Sequence, residues 1–161
     1  MTVANIKLDA VDRRLLNALQ ENGRIPVTDL AQMVGLTTSP CLRRLKILEQ
    51  AGIIRGYAAL VDQTKVGLPV SVFISVKLEM QREEALERFE ATMRDCPEVV
   101  ECYLMTGPRD YLLRVVAKDL AAYERFLKQT LTRIEGVASI ESSFALSQVK
   151  YSNLLPIANA G

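Results

Sequence analysis

The chain has 161 residues, of which 49% are apolar and 24% are charged, with a formal net charge of +1. This length allows one ordinary domain or two small ones, and the composition is that of a soluble globular protein. There is no histidine, which excludes Ser-His-Asp catalysis, histidine metal ligands and a histidine pH switch.

No stretch approaches the roughly 18 apolar residues of a membrane helix, and the N-terminus lacks a signal-peptide pattern. We therefore expect a cytoplasmic, nucleoid-associated protein with no membrane partner. The odd set of cysteines, Cys41, Cys96 and Cys102, has no CxxC spacing, which favours buried reduced thiols over a redox role. The sequence indicates neither a metal nor a cofactor.

Charge is unevenly distributed along the chain. Residues 1–60 contain 8 Lys/Arg and 5 Asp/Glu, a balance of +3, which leaves 12 and 14, a balance of −2, for residues 61–161. The basic excess therefore lies in the first part of the chain. It is modest, so a monomer would bind nucleic acid weakly on electrostatics alone.

The first predicted helix has apolar residues at helical spacing. They are Leu8, Val11, Leu15, Leu16 and Leu19. Asp9 is a plausible N-cap with Asp12 three residues later, and Asn22-Gly23 is a plausible end. We expect this helix to support the two that follow.

The next two predicted helices are short and are joined by a turn that contains Gly35. Pro26 suits the start of the first, and its apolar positions are Val27, Leu30, Ala31 and Val34. Thr37 can cap the second with its hydroxyl, and Gln50-Ala51-Gly52 ends it. Two short helices with this turn are typical of a helix-turn-helix, which binds double-stranded DNA.

The second helix of the motif has one apolar and one basic face. Cys41, Leu42, Leu45 and Leu48 fall on the inward side, and the other side carries Ser39, Pro40, Arg43, Lys46, Ile47 and Gln50, with Arg44 at its edge. Arg43 and Lys46 can read guanine edges, whereas Ser39 and Arg44 can equally hold phosphates. The alternative is an ordinary solvated basic face. The predicted DNA-binding residues are Arg24, Thr38, Ser39, Pro40, Arg43, Arg44, Lys46 and Ile47.

After the motif, Ile53–Tyr57 is expected to start a short wing strand, and Ala58–Asp62 is a strand-like linker. We divide the chain into a DNA-binding domain (1–57), a linker and hinge (58–69) and a second domain (70–161).

The second domain alternates strand and helix signals. We predict strands at 70–79, 99–106, 110–118 and 137–149. One helix lies between the first two strands, is marked by Ala85, Leu86, Phe89 and Met93, and ends at Cys96-Pro97. A second helix runs from Leu120 to Ile134. This order is βαββαβ. The fold class is therefore α+β, a winged helix-turn-helix followed by a ferredoxin-like domain whose antiparallel sheet carries helices on one face.

The other sheet face would then be bare. The first strand gives it Ser71, Phe73, Ser75 and Lys77, and the central strand gives either Tyr111, Leu113 and Val115 or Leu112, Arg114 and Val116. A mixed face with large apolar groups favours pairing with a second subunit, and the alternative is an open sheet with scattered apolar residues.

Taken together, these features resemble the Lrp/AsnC family of feast/famine regulators from about Leu8 to Lys150. The resemblance rests on Leu8-Asp9 with Asp12, Gly23-Arg24-Ile25, Val34-Gly35-Leu36, the run from Ser39 to Arg44, the run from Glu49 to Ile54, Gly56-Tyr57, Thr106-Gly107, the run from Asp110 to Leu113, and Val149-Lys150. It implies a sequence-specific transcriptional regulator that forms homodimers, often assembled into octamers, and whose small effector, usually an amino acid, binds between regulatory domains.

Carried onto this sequence, the resemblance places the effector at the hairpin from Gly107 to Asp110. The implied effector-binding residues are Tyr103, Leu104, Met105, Thr106, Gly107, Pro108, Arg109, Asp110, Val137, Ser139 and Ser142. Asp110 would accept the ammonium of an amino acid, and backbone N–H groups with Thr106 would bind its carboxylate. Without the resemblance, the same residues read as an ordinary hairpin turn.

Pro108 and Arg109 depart from the family's usual hairpin. Arg109 can pair with an effector carboxylate, or it can neutralise Asp110 and disturb the site. One other function remains open from the sequence, a DNA-architectural protein with low sequence specificity and no effector. We do not expect an enzyme, because the sequence shows no histidine, metal cluster, phosphate loop or obvious nucleophile–base pair.

Overall fold

The computed structural model describes residues 7–157. The helices are α1 (Ala10–Glu21), α2 (Val27–Val34), α3 (Thr38–Gln50), α4 (Glu83–Asp95) and α5 (Leu120–Gln129), and the strands are β1 (Val70–Leu78), β2 (Val99–Leu104), β3 (Tyr111–Ala117) and β4 (Val137–Phe144). The chain divides into two compact units, one formed by residues up to 60 together with those from 150 onward, the other by residues 61–149. None of the described helices is long and apolar enough to span a membrane.

The three helices of the first unit begin and end where local signals predict. Asp9 caps α1 in a reciprocal capping box, in which its side chain accepts from Asp12 N and the Asp12 side chain accepts from Asp9 N. Gly35 ends α2 in the left-handed region at φ 73°, and Leu36 N donates to Ala31 O at 2.8 Å. The helix-turn-helix is thus built from ordinary capping chemistry.

The core of this unit is small. Its main cluster of buried residues is Leu15, Ala18, Leu30, Ala31, Val34 and Cys41, with Val11, Leu19, Ile25, Val27, Leu36 and Leu45 packed around them. Two details of α3 differ from the prediction. Leu42 is exposed rather than inward, and Thr37 precedes the helix without a side-chain capping hydrogen bond.

The predicted wing strand is not present. Within the described chain, no strand lies between Gln50 at the end of α3 and Val70 at the start of β1. The prediction for Ile53–Tyr57 was wrong, as was the strand-like description of Ala58–Asp62, because a strand needs a hydrogen-bonded neighbour and these segments have no ladder partner here.

The C-terminal segment packs against α1. Gln20 Nε2 donates to Leu155 O at 3.2 Å while Gln20 Oε1 accepts from Leu155 N at 2.6 Å, and Asn17 Nδ2 donates to Ile157 O at 3.4 Å. Asn17 and Gln20 are three residues apart, so they lie on one face of the helix. These contacts assign residues 150–157 to the first unit, which differs from the sequence-based division into 1–57 and 70–161.

The second unit is a four-stranded antiparallel sheet in the order β2-β3-β1-β4. Helices cover one face, and the core contains Val72, Ile74, Val76 and Leu78 of β1, Tyr111, Leu113 and Val115 of β3, and Phe89, Met93, Tyr123, Phe126 and Leu131 from the covering elements. This is the predicted ferredoxin-like arrangement. The core uses the odd-numbered residues of β3, so Leu112, Arg114 and Val116 face the opposite side.

Two predicted elements end earlier than expected. Helix α5 stops at Gln129, and a 3₁₀ turn, Leu131–Arg133, follows Thr130, whose φ and ψ of −117° and −69° depart from a regular helix. Strand β4 ends at Phe144 rather than near residue 149. Its partner β1 begins at Val70, and the last bond along this edge joins Ala145 N to Ser71 O.

The cysteines are free thiols but are not equally buried. Cys41 is fully buried, and burial raises the pKa of its thiol. Cys96 is half-buried, whereas Cys102 is exposed on β2. The prediction of burial was therefore wrong for Cys102, because β2 is an edge strand whose outer side has no neighbouring strand.

Candidate functional site

The first candidate site is the solvent face of α3. Ser39, Arg43, Lys46 and Ile47 are all exposed along it, while Cys41 and Leu48 hold the opposite side in the interior. The helical period places the four exposed residues along one surface. This surface has two cations, a hydroxyl and an apolar side chain, a set able to contact base edges and phosphates in a major groove.

Arg44 makes different contacts from Arg43. Its Nη1 lies 2.7 Å from Asp9 Oδ2 and 2.7 Å from Asp12 Oδ1, and its side chain is only 30% exposed. Hydrogen bonds to Asp12 and then Asp9 raise the pKa of the guanidinium. Both acidic partners belong to the capping box of α1, so Arg44 ties α3 to the start of α1 in this structure.

The remaining predicted DNA-binding residues are spread around the motif. Arg24 is exposed before α2, and its backbone N donates to Asn22 Oδ1 at 3.0 Å. Thr38 and Pro40 are half-buried in the first turn of α3. The backbone N–H of Thr38 is available to an anion at this end of the helix, whereas Pro40 has no N–H and offers only an apolar ring.

The second candidate site is the hairpin between β2 and β3. Met105 N donates to Asp110 O at 2.8 Å, which closes a turn containing Gly107 at φ 110°. That positive φ strains any side chain with a Cβ, so glycine suits the position. Leu104, Met105, Thr106, Gly107 and Pro108 are exposed.

Asp110 is buried, with 3% of its surface exposed. Its Oδ2 accepts from Leu78 N at 2.6 Å, and its Oδ1 accepts from Gln81 Nε2. The backbone N of Asp110 in turn donates to Val76 O at 2.9 Å. Both carboxylate oxygens are therefore used to fasten the hairpin to the end of β1. The role of Asp110 as ammonium acceptor stays a prediction.

Arg109 turns away from Asp110 and towards β4. Its Nη1 donates to Ser139 Oγ at 2.8 Å, and its Nη2 lies 2.7 Å from Glu141 Oε2. Ser139 and Glu141 are two residues apart on one strand, so they share a face of the sheet. Of the two alternatives for Arg109, neutralisation of Asp110 is not the arrangement found.

The predicted effector residues do not all come together. Ser139 and half-buried Val137 lie near the start of β4, and Ser139 contacts the hairpin through Arg109. Ser142 lies opposite Ile74 of the core in the strand register, and its Oγ is hydrogen-bonded to the hydroxyl of Tyr123 on α5. Tyr103 lies on β2, at the opposite edge of the sheet from β4.

Two residues that contact the hairpin, Gln81 and Glu141, were not predicted from the sequence. Gln81 follows β1 and reaches Asp110, and no local pattern indicates that contact. Glu141 had a detectable signal, because a strand residue two positions after Ser139 must share its face. Among residues 7–157, no group of three or more His, Cys, Asp or Glu is placed to hold a metal ion.

The sheet face opposite the helices is mixed in character. Phe73 is 40% exposed and Tyr103 52% exposed. Arg114, opposite Phe73 in the register, donates from Nε to Glu101 Oε1 at 2.8 Å. The face thus combines two exposed aromatic rings with a charged pair that is itself partly shielded from solvent.

Comparison with known proteins identifies both units. Residues 8–55 match a family described as winged helix-turn-helix DNA-binding, and residues 71–155 match the Lrp/AsnC ligand binding domain. The chain belongs to the Lrp/AsnC family of transcriptional regulators. It is thus a DNA-binding regulator with a small-molecule domain, in a family of regulators rather than of enzymes.

Individual relatives agree over nearly the whole chain. The Bkd operon transcriptional regulator of Pseudomonas aeruginosa is 48% identical over 151 residues, covering 94% of this chain and 99% of that protein. The leucine-responsive regulatory protein of Haemophilus influenzae is 38% identical, covering 94% and 91%.

Among solved structures, a transcriptional regulator of Neisseria meningitidis in complex with L-Met has a TM-score of 0.88 and 43% identity, covering 93% and 97% of the two chains. An AsnC family regulator from Agrobacterium tumefaciens has a TM-score of 0.87 and 45% identity, covering 92% and 97%.

Proposed function

We propose that this Lrp/AsnC regulator binds specific double-stranded DNA sites through the solvent face of α3, and that an amino acid bound at the hairpin from Gly107 to Asp110 changes that binding. The observation that carries the proposal is that two adjacent arginines differ in their contacts. Arg44 is held by Asp9 and Asp12, while Arg43 is exposed and faces outward with Lys46.

In this proposal, Arg43 and Lys46 read base edges in the major groove. A guanidinium can donate two parallel hydrogen bonds to guanine, which favours Arg43 as the more selective of the two. Ser39, Arg24 and Thr38 at the start of α3 bind phosphates, and Pro40 and Ile47 add apolar contacts. Arg44 acts indirectly by holding the helix in place.

The effector part of the proposal concerns the second unit. The match to a ligand binding domain supports a small-molecule site, and the Neisseria meningitidis neighbour, solved with L-Met, supports an amino acid. The charged side chains at the hairpin suit a polar, ionised ligand better than an apolar one. Binding there would favour one placement or assembly of the DNA-binding units over another.

We further propose that the chain acts as a homodimer or a higher oligomer such as an octamer. The mixed sheet face with Phe73 and Tyr103 is of the kind that subunits cover. A two-fold dimer would set two α3 helices on two DNA half-sites. It would also double the modest basic charge of residues 1–60.

The test is a fluorescence-polarisation titration of DNA from upstream of the protein's own gene, with competitor DNA and with each amino acid in turn. We expect saturable specific binding that one amino acid shifts. Specific binding unaffected by every amino acid would remove the effector part. An affinity for this DNA no higher than for competitor DNA, together with continuous protection of the DNA in a footprinting assay, would favour an architectural protein instead.

Arg43→Ala tests the reading face in the same assay. We expect it to cost about 1–3 kcal/mol of specific binding and to relax discrimination at one base step. Arg125→Ala, an exposed arginine of α5, is the matched control and should bind as the wild type does. Equal affinities for the two variants would remove Arg43 from the reading face.

A further inference from the structure

The hairpin and β4 hold a cation and an anion against each other at the surface. Arg109 Nη2 is 2.7 Å from Glu141 Oε2, with 37% of the arginine side chain and 65% of the glutamate side chain exposed. Ser139 Oγ accepts a second hydrogen bond from the same guanidinium. Both charged groups are thus partly hydrated, and either can exchange its partner without a change in the fold.

An amino acid needs an anion for its ammonium and a cation for its carboxylate, within reach of one α-carbon. Asp110 is poorly placed to be that anion. It is buried, and its two oxygens already accept from Leu78 N and Gln81 Nε2. With 3% of its surface exposed, Asp110 offers little access to the ammonium of a ligand in solution.

We propose that Arg109 and Glu141 together form the receptor for the charged end of an amino acid. The effector's α-carboxylate replaces Glu141 on the Arg109 guanidinium, and the released Glu141 carboxylate accepts the α-ammonium. This deepens the effector part of the proposed function and rests on it. Asp110 becomes a positioning residue, which fixes the hairpin so that Arg109 reaches β4.

The exchange accounts for selectivity as well as binding. Without ligand, the site is occupied by its own ion pair, so a lone carboxylate must compete with Glu141 for Arg109. A zwitterion replaces one internal ion pair with two charged contacts, whereas a carboxylic acid or an amine alone replaces one contact with one. The Glu141 carboxylate therefore excludes simple organic acids while it favours amino acids.

Neighbouring charges agree with this assignment. Lys77 lies opposite Ser139 in the register of β1 and β4, and Glu141 lies opposite Ser75. Lys77 is therefore a diagonal neighbour of Glu141 on the same face. Lys77 is a second cation beside the pair. It should disfavour effectors with a cationic side chain relative to those with neutral side chains.

The test is calorimetric titration of the full-length protein. Each protein amino acid is titrated first, and the tightest binder is compared with two analogues. In one analogue a hydroxyl replaces the ammonium, and in the other a carboxamide replaces the carboxylate. We expect the wild type to bind both analogues about 10- to 100-fold more weakly than the amino acid.

Two variants then separate the two charges. In Glu141→Gln, the amino acid should lose its advantage over the hydroxy acid, and the hydroxy acid should bind more tightly than it does to the wild type. In Arg109→Gln, the amino acid and its carboxamide should bind equally, and Arg109→Lys should restore part of the preference. Glu124→Gln on α5, which breaks the exposed pair with Lys128, should behave as the wild type does.

The outcomes distinguish this inference from the proposed function. If an amino acid binds but both variants keep the wild-type preferences among the three ligands, the Arg109–Glu141 assignment is overturned and the effector function stands. If no amino acid binds the wild type, both the assignment and the effector function fall, while specific DNA binding would stand. Thermal unfolding of each variant shows whether its fold is kept, and the rise in hydroxy-acid affinity cannot result from unfolding.

Discussion

Arg44 Nη1 lies 2.7 Å from Asp12 Oδ1, and this contact joins α3 to the first turn of α1. Asp12 is 8% exposed and also completes the capping box with Asp9. The basic residue next to Arg43 is thus part of the interior support of the motif, and the acidic residues that start α1 help to orient the helix proposed to read DNA.

The first prediction concerns stability. Arg44→Ala removes both ion pairs and leaves the largely buried Asp12 carboxylate without its cation, so we expect a loss of about 1–3 kcal/mol in the free energy of unfolding. Urea unfolding measures it. Arg43→Ala, an exposed neighbour on the same helix, is the control and should change stability by less than about 0.5 kcal/mol. Equal losses would show that the Arg44 contacts contribute little.

The second prediction is a dependence of stability on pH. The hydrogen bond from Asp12 N, together with that from Arg44, lowers the pKa of Asp9 below its ordinary value of 3.8. Because the folded pKa is the lower one, this stabilisation is present above the unfolded pKa and is lost as pH falls through the folded pKa. Asp9→Asn keeps an acceptor for the cap but does not titrate.

The unfolding temperature of Asp9→Asn should therefore change less than that of the wild type between about pH 5 and pH 2. Scanning calorimetry across this range measures the difference. Asp29→Asn, which changes an exposed acid of α2, is the control and should follow the wild-type curve more closely. Parallel curves for Asp9→Asn and the wild type would contradict the prediction.

The third prediction concerns salt. Because Arg24 is exposed and is proposed to bind a phosphate, Arg24→Ala should reduce the slope of log affinity against log salt by about 1. Polarisation titrations at several salt concentrations give that slope. Lys118→Ala, an exposed lysine of the second unit, should leave it unchanged. An unchanged slope in Arg24→Ala, with weaker binding to the specific site alone, would instead indicate a contact with a base.

The fourth prediction concerns the hairpin anchor. Asp110→Ala leaves Leu78 N without its acceptor, and we expect a loss of about 1–3 kcal/mol in stability. Hydrogen exchange should report the site directly, with faster exchange at the Leu78 amide. Asp95→Ala, at an exposed position ending α4, serves as the control. Unchanged Leu78 exchange in Asp110→Ala would show that this bond does not protect the end of β1.

Much of this fold is readable from local signals. The Asp9 and Asp12 capping box, the left-handed Gly35 and the strict alternation along β1 each depend on residues a few positions apart, and each was placed correctly. Such features need only near neighbours, which the sequence supplies. The family resemblance added what local patterns lack, namely that a βαββαβ unit following this motif binds a small molecule.

The features that could not be predicted depend on partners far apart in the sequence. Arg44 meets Asp12 across 32 positions and Arg109 meets Glu141 across the same separation, so neither pair follows from spacing. Strand β4 stops at Phe144, opposite Val72 near the start of β1, although the sequence beyond it is still typical of a strand. Side-chain partners and strand ends are set by tertiary packing, which a periodic pattern does not contain.

The two hydrogen bonds between the Gln20 side chain and the Leu155 backbone affect how this protein can be divided into fragments. The backbone crosses between the two units twice, near residue 60 and again near residue 150. A fragment cut at residue 60 would therefore expose a side of α1 that the full chain covers, and no single cleavage yields both halves intact. An isolated DNA-binding half that keeps these contacts would need the final segment supplied as a separate peptide or joined through an artificial linker.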